Sequence, residues 1–217
     1  MGGGDICAPS VSACEVSLLD YSFKVSDHGN FWTTIFTVEK QEENLLQLKS
    51  VTKEFTLSVT FSLQDNLLKR EYKIVNTTQH KLPFTFADHL LLPIGKVEIP
   101  GVKKMRLEWS YNNLLGKKND EINWPLFRSG VFADKLFVNI NQFVKYQTKD
   151  LALTFSSPDL PYVGYWETSG GWNNSYNLGL ELTNTDRDNL SEAVKENKVW
   201  WIEPKQSKKW SINLEIN

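Results

Sequence analysis

Two neighbouring stretches, residues 55–63 (FTLSVTFSL) and 67–75 (LLKREYKIV), alternate apolar and polar side chains on either side of Asp65-Asn66. Alternation at period two puts one side of an extended chain on a core and the other toward water, and a helix of 3.6-residue period cannot use that pattern. With a turn signal between them, the two stretches predict a β-hairpin. Extended runs recur along the chain. Strands are expected at residues 23–25, 32–38 (WTTIFTV), 45–51, 82–92 (LPFTFADHLLL), 131–140, 151–155, 162–166, 178–182, 198–202 and 210–216, with one or two more within 97–109. Residues 112–125 read as a polar loop. Only residues 188–197 (DNLSEAVKEN) have a helical look, with Asp188 as the cap and Leu190, Ala193 and Val194 on one face. Many short strands and at most one short helix mean an all-β sandwich or barrel.

A chain of 217 residues is long enough for one substantial core, and no linker or fixed-period repeat divides it, so a single domain over residues 1–217 is expected. Its formal net charge of −2 gives no reason to expect nucleic acid or an anionic membrane as partner. No apolar run reaches the roughly 18 residues of a membrane span, and the start MGGGDICAPS lacks a basic head and an apolar stretch. The expected location is the cytoplasm. Two cysteines, Cys7 and Cys14, are too few for a disulfide scaffold or a zinc framework, and two buried thiols are expected.

Chemistry concentrates between residues 162 and 188. Leu178, Leu180 and Leu182 alternate there with Gly179, Glu181 and Thr183. One strand face is leucine. The other carries a carboxylate between two small residues, which should leave space in front of it, and aromatic rings close by suit the C–H faces of a sugar. Of the three histidines, His80 lies in a polar loop and reads as a solvated bystander. His28 sits at a turn. His89 shares a strand face with Thr85 and Ala87, as a satisfied core residue or one that faces a ligand. The histidines are not at metal-ligand spacing, no metal or other cofactor is expected, and no nucleotide or serine-hydrolase motif occurs. A paired-carboxylate glycosidase could draw on Asp134 and Glu181, but nothing in the spacing selects a pair.

Four segments, in order, resemble the galactose mutarotase-like superfamily and within it the aldose 1-epimerases. They are Gly2-Gly3-Gly4 with Cys7-Ala8-Pro9; Asp27-His28-Gly29 followed by Trp32; Asn76-Thr77-Thr78 followed by the run from Leu82 to His89; and Gly164-Tyr165-Trp166 followed by Leu180-Glu181, Thr183-Asn184 and Asp188. The resemblance implies a large antiparallel β-sandwich of the mutarotase type. It implies that His89 and Glu181 are the acid and the base, that His28 hydrogen-bonds the sugar, and that Trp166 forms an apolar wall. Asp134, in FADKLFV, stands where the family places a hydroxyl-binding acid. Glu203-Pro204 has the Glu-Pro dipeptide that many family members show at the catalytic acid, but it is read as a turn at the rim, because the helical segment follows Glu181. The chain departs from the family in starting late, which leaves a sheet edge that a second copy would cover in a homodimer. The family's arginine soon after His-Gly is also absent, with Asn30, Phe31 and Trp32 in its place.

By resemblance, the expected activity is interconversion of the α and β anomers of an aldohexose. His89 would protonate the ring oxygen and Glu181 would take the proton of the C1 hydroxyl. Two other readings stay open: a non-catalytic carbohydrate-binding sandwich, and a hexose-6-phosphate 1-epimerase with Lys117, Lys118, Arg128 or Arg187 on the phosphate.

Overall fold

A computed structural model describes residues 3–217; Met1 and Gly2, the start of the glycine-led segment, lie outside the described residues. Nineteen strands and one short helix follow in order. The first seven strands are β1 (Gly3–Cys7), β2 (Cys14–Ser17), β3 (Ser22–Val25), β4 (Thr37–Glu42), β5 (Leu45–Val51), β6 (Phe55–Gln64) and β7 (Leu67–Asn76). Then come β8 (Leu82–Phe84), β9 (Ala87–Leu92), β10 (Lys96–Glu98), β11 (Lys104–Ser110), β12 (Glu121–Asn123), β13 (Phe132–Asn139) and β14 (Phe143–Gln147). The last are β15 (Ala152–Ser156), β16 (Tyr162–Ser169), β17 (Tyr176–Thr183), α1 (Leu190–Lys195), β18 (Trp200–Ile202) and β19 (Ser207–Ile216).

The strands form two large antiparallel sheets. One has seven strands in the order β1-β9-β17-β16-β13-β11-β12, and the other eight in the order β10-β14-β15-β19-β7-β6-β5-β4. The hairpin expected from residues 55–75 is present in full register, from Phe55 opposite Asn76 to Gln64 opposite Leu67. The sheets face each other across one apolar layer. Phe55, Leu57, Val59, Tyr72, Ile74 and Ile212 come from the larger sheet, and Val163, Tyr165, Leu178, Leu180 and Leu182 from the smaller. Trp210 stacks on Tyr72 at 5.4 Å between ring centres, and Phe86 meets both rings at 4.8 Å. This is the large antiparallel sandwich that the resemblance implied, within the sandwich-or-barrel class that the alternation gave, with a single short α-helix.

Three local expectations change. The run 82–92 is not one strand. Thr85 gives both its N–H and its hydroxyl to the Pro9 carbonyl, and the Phe86 N–H goes to the Asn184 side chain. These bonds divert the backbone, so β8 pairs with β18 while β9 enters the seven-stranded sheet. Residues 32–36 are turns and loop rather than strand: Trp32 and Thr34 donate their N–H groups to Gly29 and Phe31, three residues back. Gly29 has φ +81°, and a Cβ there would fall 2.2 Å from the Ala8 carbonyl oxygen, so this tight passage needs a glycine. The helix cap, finally, is Asn189 and not Asp188. The Asn189 side chain accepts from the N–H groups of Ser191 and Glu192, whereas the Asp188 carboxylate is turned toward Lys135. Asn189→Ala should lower stability by about 1 kcal/mol in urea unfolding.

Cys7 and Cys14 are free thiols; Cys7 is buried and Cys14 partly so. No helix among the described residues is long and apolar enough to cross a membrane.

Candidate functional site

Because Leu178, Leu180 and Leu182 are taken by the core, Gly179, Glu181 and Thr183 emerge on the outer face of the seven-stranded sheet. Register then assembles a row of side chains on that face. Asp5 of β1 lies opposite His89 of β9, His89 opposite Glu181 of β17, and Glu181 opposite Gly164 of β16. A neighbouring row sets Gly179 against Trp166, and Trp166 against Lys135 of β13. The segments on either side of the β2–β3 hairpin border these rows and bring Val11, Ser12, Asp27, His28 and Trp32. A cavity of about 480 Å³ remains between them.

Four indoles line this cavity: Trp32, Trp109, Trp166 and Trp172. Trp109 and Trp172 lie 5.9 Å apart, and Trp32 lies 4.8 Å from the His28 ring. His28 meets His89 edge to face at 5.9 Å, and its Nδ1 is 2.9 Å from the Asp27 carboxylate. His28, His89 and Trp166 are thus brought together as walls of one cavity, from segments far apart in sequence.

Glu181 touches His89, with Nε2 at 3.1 Å from Oε1. The space expected in front of its carboxylate is filled, however. The Lys135 ammonium lies 2.5 Å from Oε1 and 2.6 Å from Oε2, and Glu181 has no exposed surface. Gly164 completes the fit from the other side, since a Cβ there would stand 3.2 Å from Oε2. Lys135 also reaches Asp188 at 3.1 Å. Lys135 and Asp188, but not Glu181, line the cavity, so Lys135 stands between the buried carboxylate and the open space.

The electrostatics follow from this packing. Burial alone would push the Glu181 carboxyl up, but the Lys135 ammonium and the His89 ring outweigh it and hold the group well below the usual carboxylate range. Burial likewise opposes a charged His89, yet Glu181 outweighs it and raises the imidazole above its ordinary value of 6.5. Asp188 goes the other way: burial, reinforced by Glu181 and Glu108 and only partly offset by Lys135, raises it to about 6. The Lys135 and His89 groups thus favour the ionised form of Glu181, and Glu181 favours the charged form of His89. This pairing stabilises the folded state below the unfolded histidine pKa and is lost as pH rises through the folded one. Histidine titration followed by NMR should place His89 above 6.5 in the wild type and below it in Glu181→Gln, where burial acts without the anion.

Asp134 is not part of this arrangement. It alternates with Lys135 along β13, so the two point to opposite faces, and a one-residue step exchanges them. Asp134 is buried, with Arg128 at 3.2 Å, and does not line the cavity. Of the other candidate phosphate ligands, Lys118 pairs with Glu108 and Glu192, and Arg187 with Asp186 and Glu196. None of Lys117, Lys118, Arg128 and Arg187 lines the cavity. Glu203 is exposed at the turn before β19 and pairs with Lys81 at 2.6 Å. Lys135 and Asp5 were missed from the sequence, although Lys135 carries a signal like that of Glu181: one charge inside an apolar run, here FADKLFV.

No protein-family model matches the chain, and no curated protein matches its sequence. Solved structures do match in fold. A protein of Synechocystis sp. PCC 6803 superposes with a TM-score of 0.79 at 19% identity, over 100% of this chain and 78% of the other. A candidate aldose 1-epimerase of Escherichia coli K12 gives 0.76 at 14% identity, over 98% and 84%. A galactose mutarotase-like protein of Lactobacillus casei gives 0.76 at 15% identity, over 99% and 85%. At these identities the likeness is one of fold, and the fold of this chain is the galactose mutarotase-like sandwich.

Proposed function

We propose that the cavity binds an aldose and interconverts its α and β anomers. The observation that carries this reading is the contact of His89 with Glu181 beside a tryptophan-lined cavity. Each group is shifted toward the form that ring opening needs, His89 toward the charged acid and Glu181 toward the ionised base. In the reaction, the proton of the C1 hydroxyl passes to Glu181 and its electron pair forms the C1 carbonyl. The C1–O5 bond breaks, and O5 takes a proton from His89, whose Nε2 turns from Glu181 to the sugar. Rotation about C1–C2 and the reverse steps yield the other anomer. His28 hydrogen-bonds the sugar, and Trp166 packs on its apolar face.

Lys135 adds a condition. It occupies both Glu181 oxygens, so the C1 hydroxyl gains access only as the ammonium moves onto Asp188, already 3.1 Å away. That shift would also raise the basicity of Glu181, because the nearest positive charge withdraws from it. The same observation favours a second reading: with Lys135 fixed, Glu181 is a structural ion pair and the chain is a non-catalytic sugar-binding sandwich.

Polarimetry on freshly dissolved single anomers of several aldoses separates the two. An acceleration proportional to enzyme supports catalysis. Calorimetric binding of sugar with no acceleration supports the binding module, and neither signal would contradict both.

A further inference from the structure

The charge of the cavity is more negative than a neutral sugar requires. Asp5, Asp27 and Asp188 line it and Glu181 lies directly behind, four carboxylates against two cationic groups, the Lys135 ammonium and the His89 ring, whose charged form Glu181 and Asp5 favour. That ammonium is already engaged by Glu181 and Asp188, and Asp27 is engaged only by the ring of His28. Asp5, half-buried on β1, makes no ion pair among the described residues. No arginine lines the cavity. The remaining wall is the four indoles, and an indole face carries the negative end of a quadrupole that attracts a cation. Carboxylates and indole faces around one cavity favour positive charge and repel phosphate, and low-dielectric walls concentrate that field. Ser12, Asn173 and Asn177 add hydrogen-bonding groups that suit hydroxyls.

We propose that the sugar taken by this site carries a protonated amine, an amino-aldose rather than a neutral aldose or a sugar phosphate. The inference rests on the sugar-binding reading above and specifies its ligand. The ammonium lies between Asp5 and the indoles, and the pyranose hydroxyls meet the asparagine and serine side chains.

Titration calorimetry at low ionic strength with glucosamine, glucose and glucose 6-phosphate tests it on the unaltered protein. Glucosamine and glucose differ only in an ammonium for a hydroxyl. Glucosamine should bind about ten-fold tighter than glucose, with glucose 6-phosphate the weakest of the three. Added salt should shrink the glucosamine margin by screening, and Asp5→Asn should shrink it as well. Glucose binding as tightly as glucosamine would overturn the amine proposal and leave the sugar-binding reading standing. Tightest binding by glucose 6-phosphate would do the same. Binding by none of the three would overturn both.

Discussion

Replacing His89 by Asn, or Glu181 by Gln, should each slow catalysed mutarotation by about 10²–10⁴-fold, the usual contribution of one general acid or base. Glu181→Gln keeps the shape of the side chain, His89→Asn keeps a shorter polar one, and both remove the proton chemistry. His89→Asn leaves ring opening without a proton donor at O5. Glu181→Gln leaves the C1 hydroxyl proton without an acceptor and strips the Lys135 ammonium of its main counter-charge. Glu203→Gln is the control. Glu203 shares with Glu181 only its residue type, is exposed, and touches Lys81. Polarimetry on the three variants should give two failures and one wild-type rate. A dead Glu203→Gln beside a live Glu181→Gln would reverse the assignment.

The second large effect concerns stability. Arg70 of β7 and Asp88 of β9 meet between the two sheets through two contacts of 2.8 Å, with both side chains nearly buried. Burial raises the Asp88 carboxyl despite the adjacent guanidinium. Desolvating two charges offsets most of the attraction between them, so the net worth of such a buried pair is small. Breaking it is another matter, because one buried charge is left alone. Asp88→Leu should destabilise the protein by about 3–5 kcal/mol, whereas the double replacement Arg70→Met with Asp88→Leu should come within about 1–2 kcal/mol of the wild type. Urea unfolding of the three proteins measures this. A double variant as unstable as the single one would show that the pair itself, and not the orphaned Arg70, carries the energy.

The sandwich was readable because its core strands alternate cleanly: FTLSVTFSL, LLKREYKIV and LGLELT each assign one face to the core and the other away from it. The segment WTTIFTV misleads because β-branched and aromatic residues favour strands on average, while local N–H bonds to Gly29 and Phe31 and the tight passage at Gly29 decide otherwise. The break within residues 82–92 could not be read, since it depends on Pro9 and Asn184, each remote in sequence. At the site, the direction of Glu181 followed from period two, and its contact with His89 from the strand register. Period two also decides between Asp134 and Lys135, but only once one knows which face of β13 looks outward. The resemblance pointed to the aspartate, and the sheet presents the lysine.

A sugar that displaces Lys135 should set its C1 hydroxyl on Glu181 and its ring oxygen against His89, opening the 3.1 Å contact between the two side chains. A crystal structure with an aldose soaked into the cavity tests this most directly. The structure should show the C1 hydroxyl within hydrogen-bond reach of a Glu181 oxygen, the ring oxygen beside His89 Nε2, and the Lys135 ammonium drawn onto Asp188. A sugar seated on the tryptophans with Lys135 still on both Glu181 oxygens would contradict it and leave a binding module in its place.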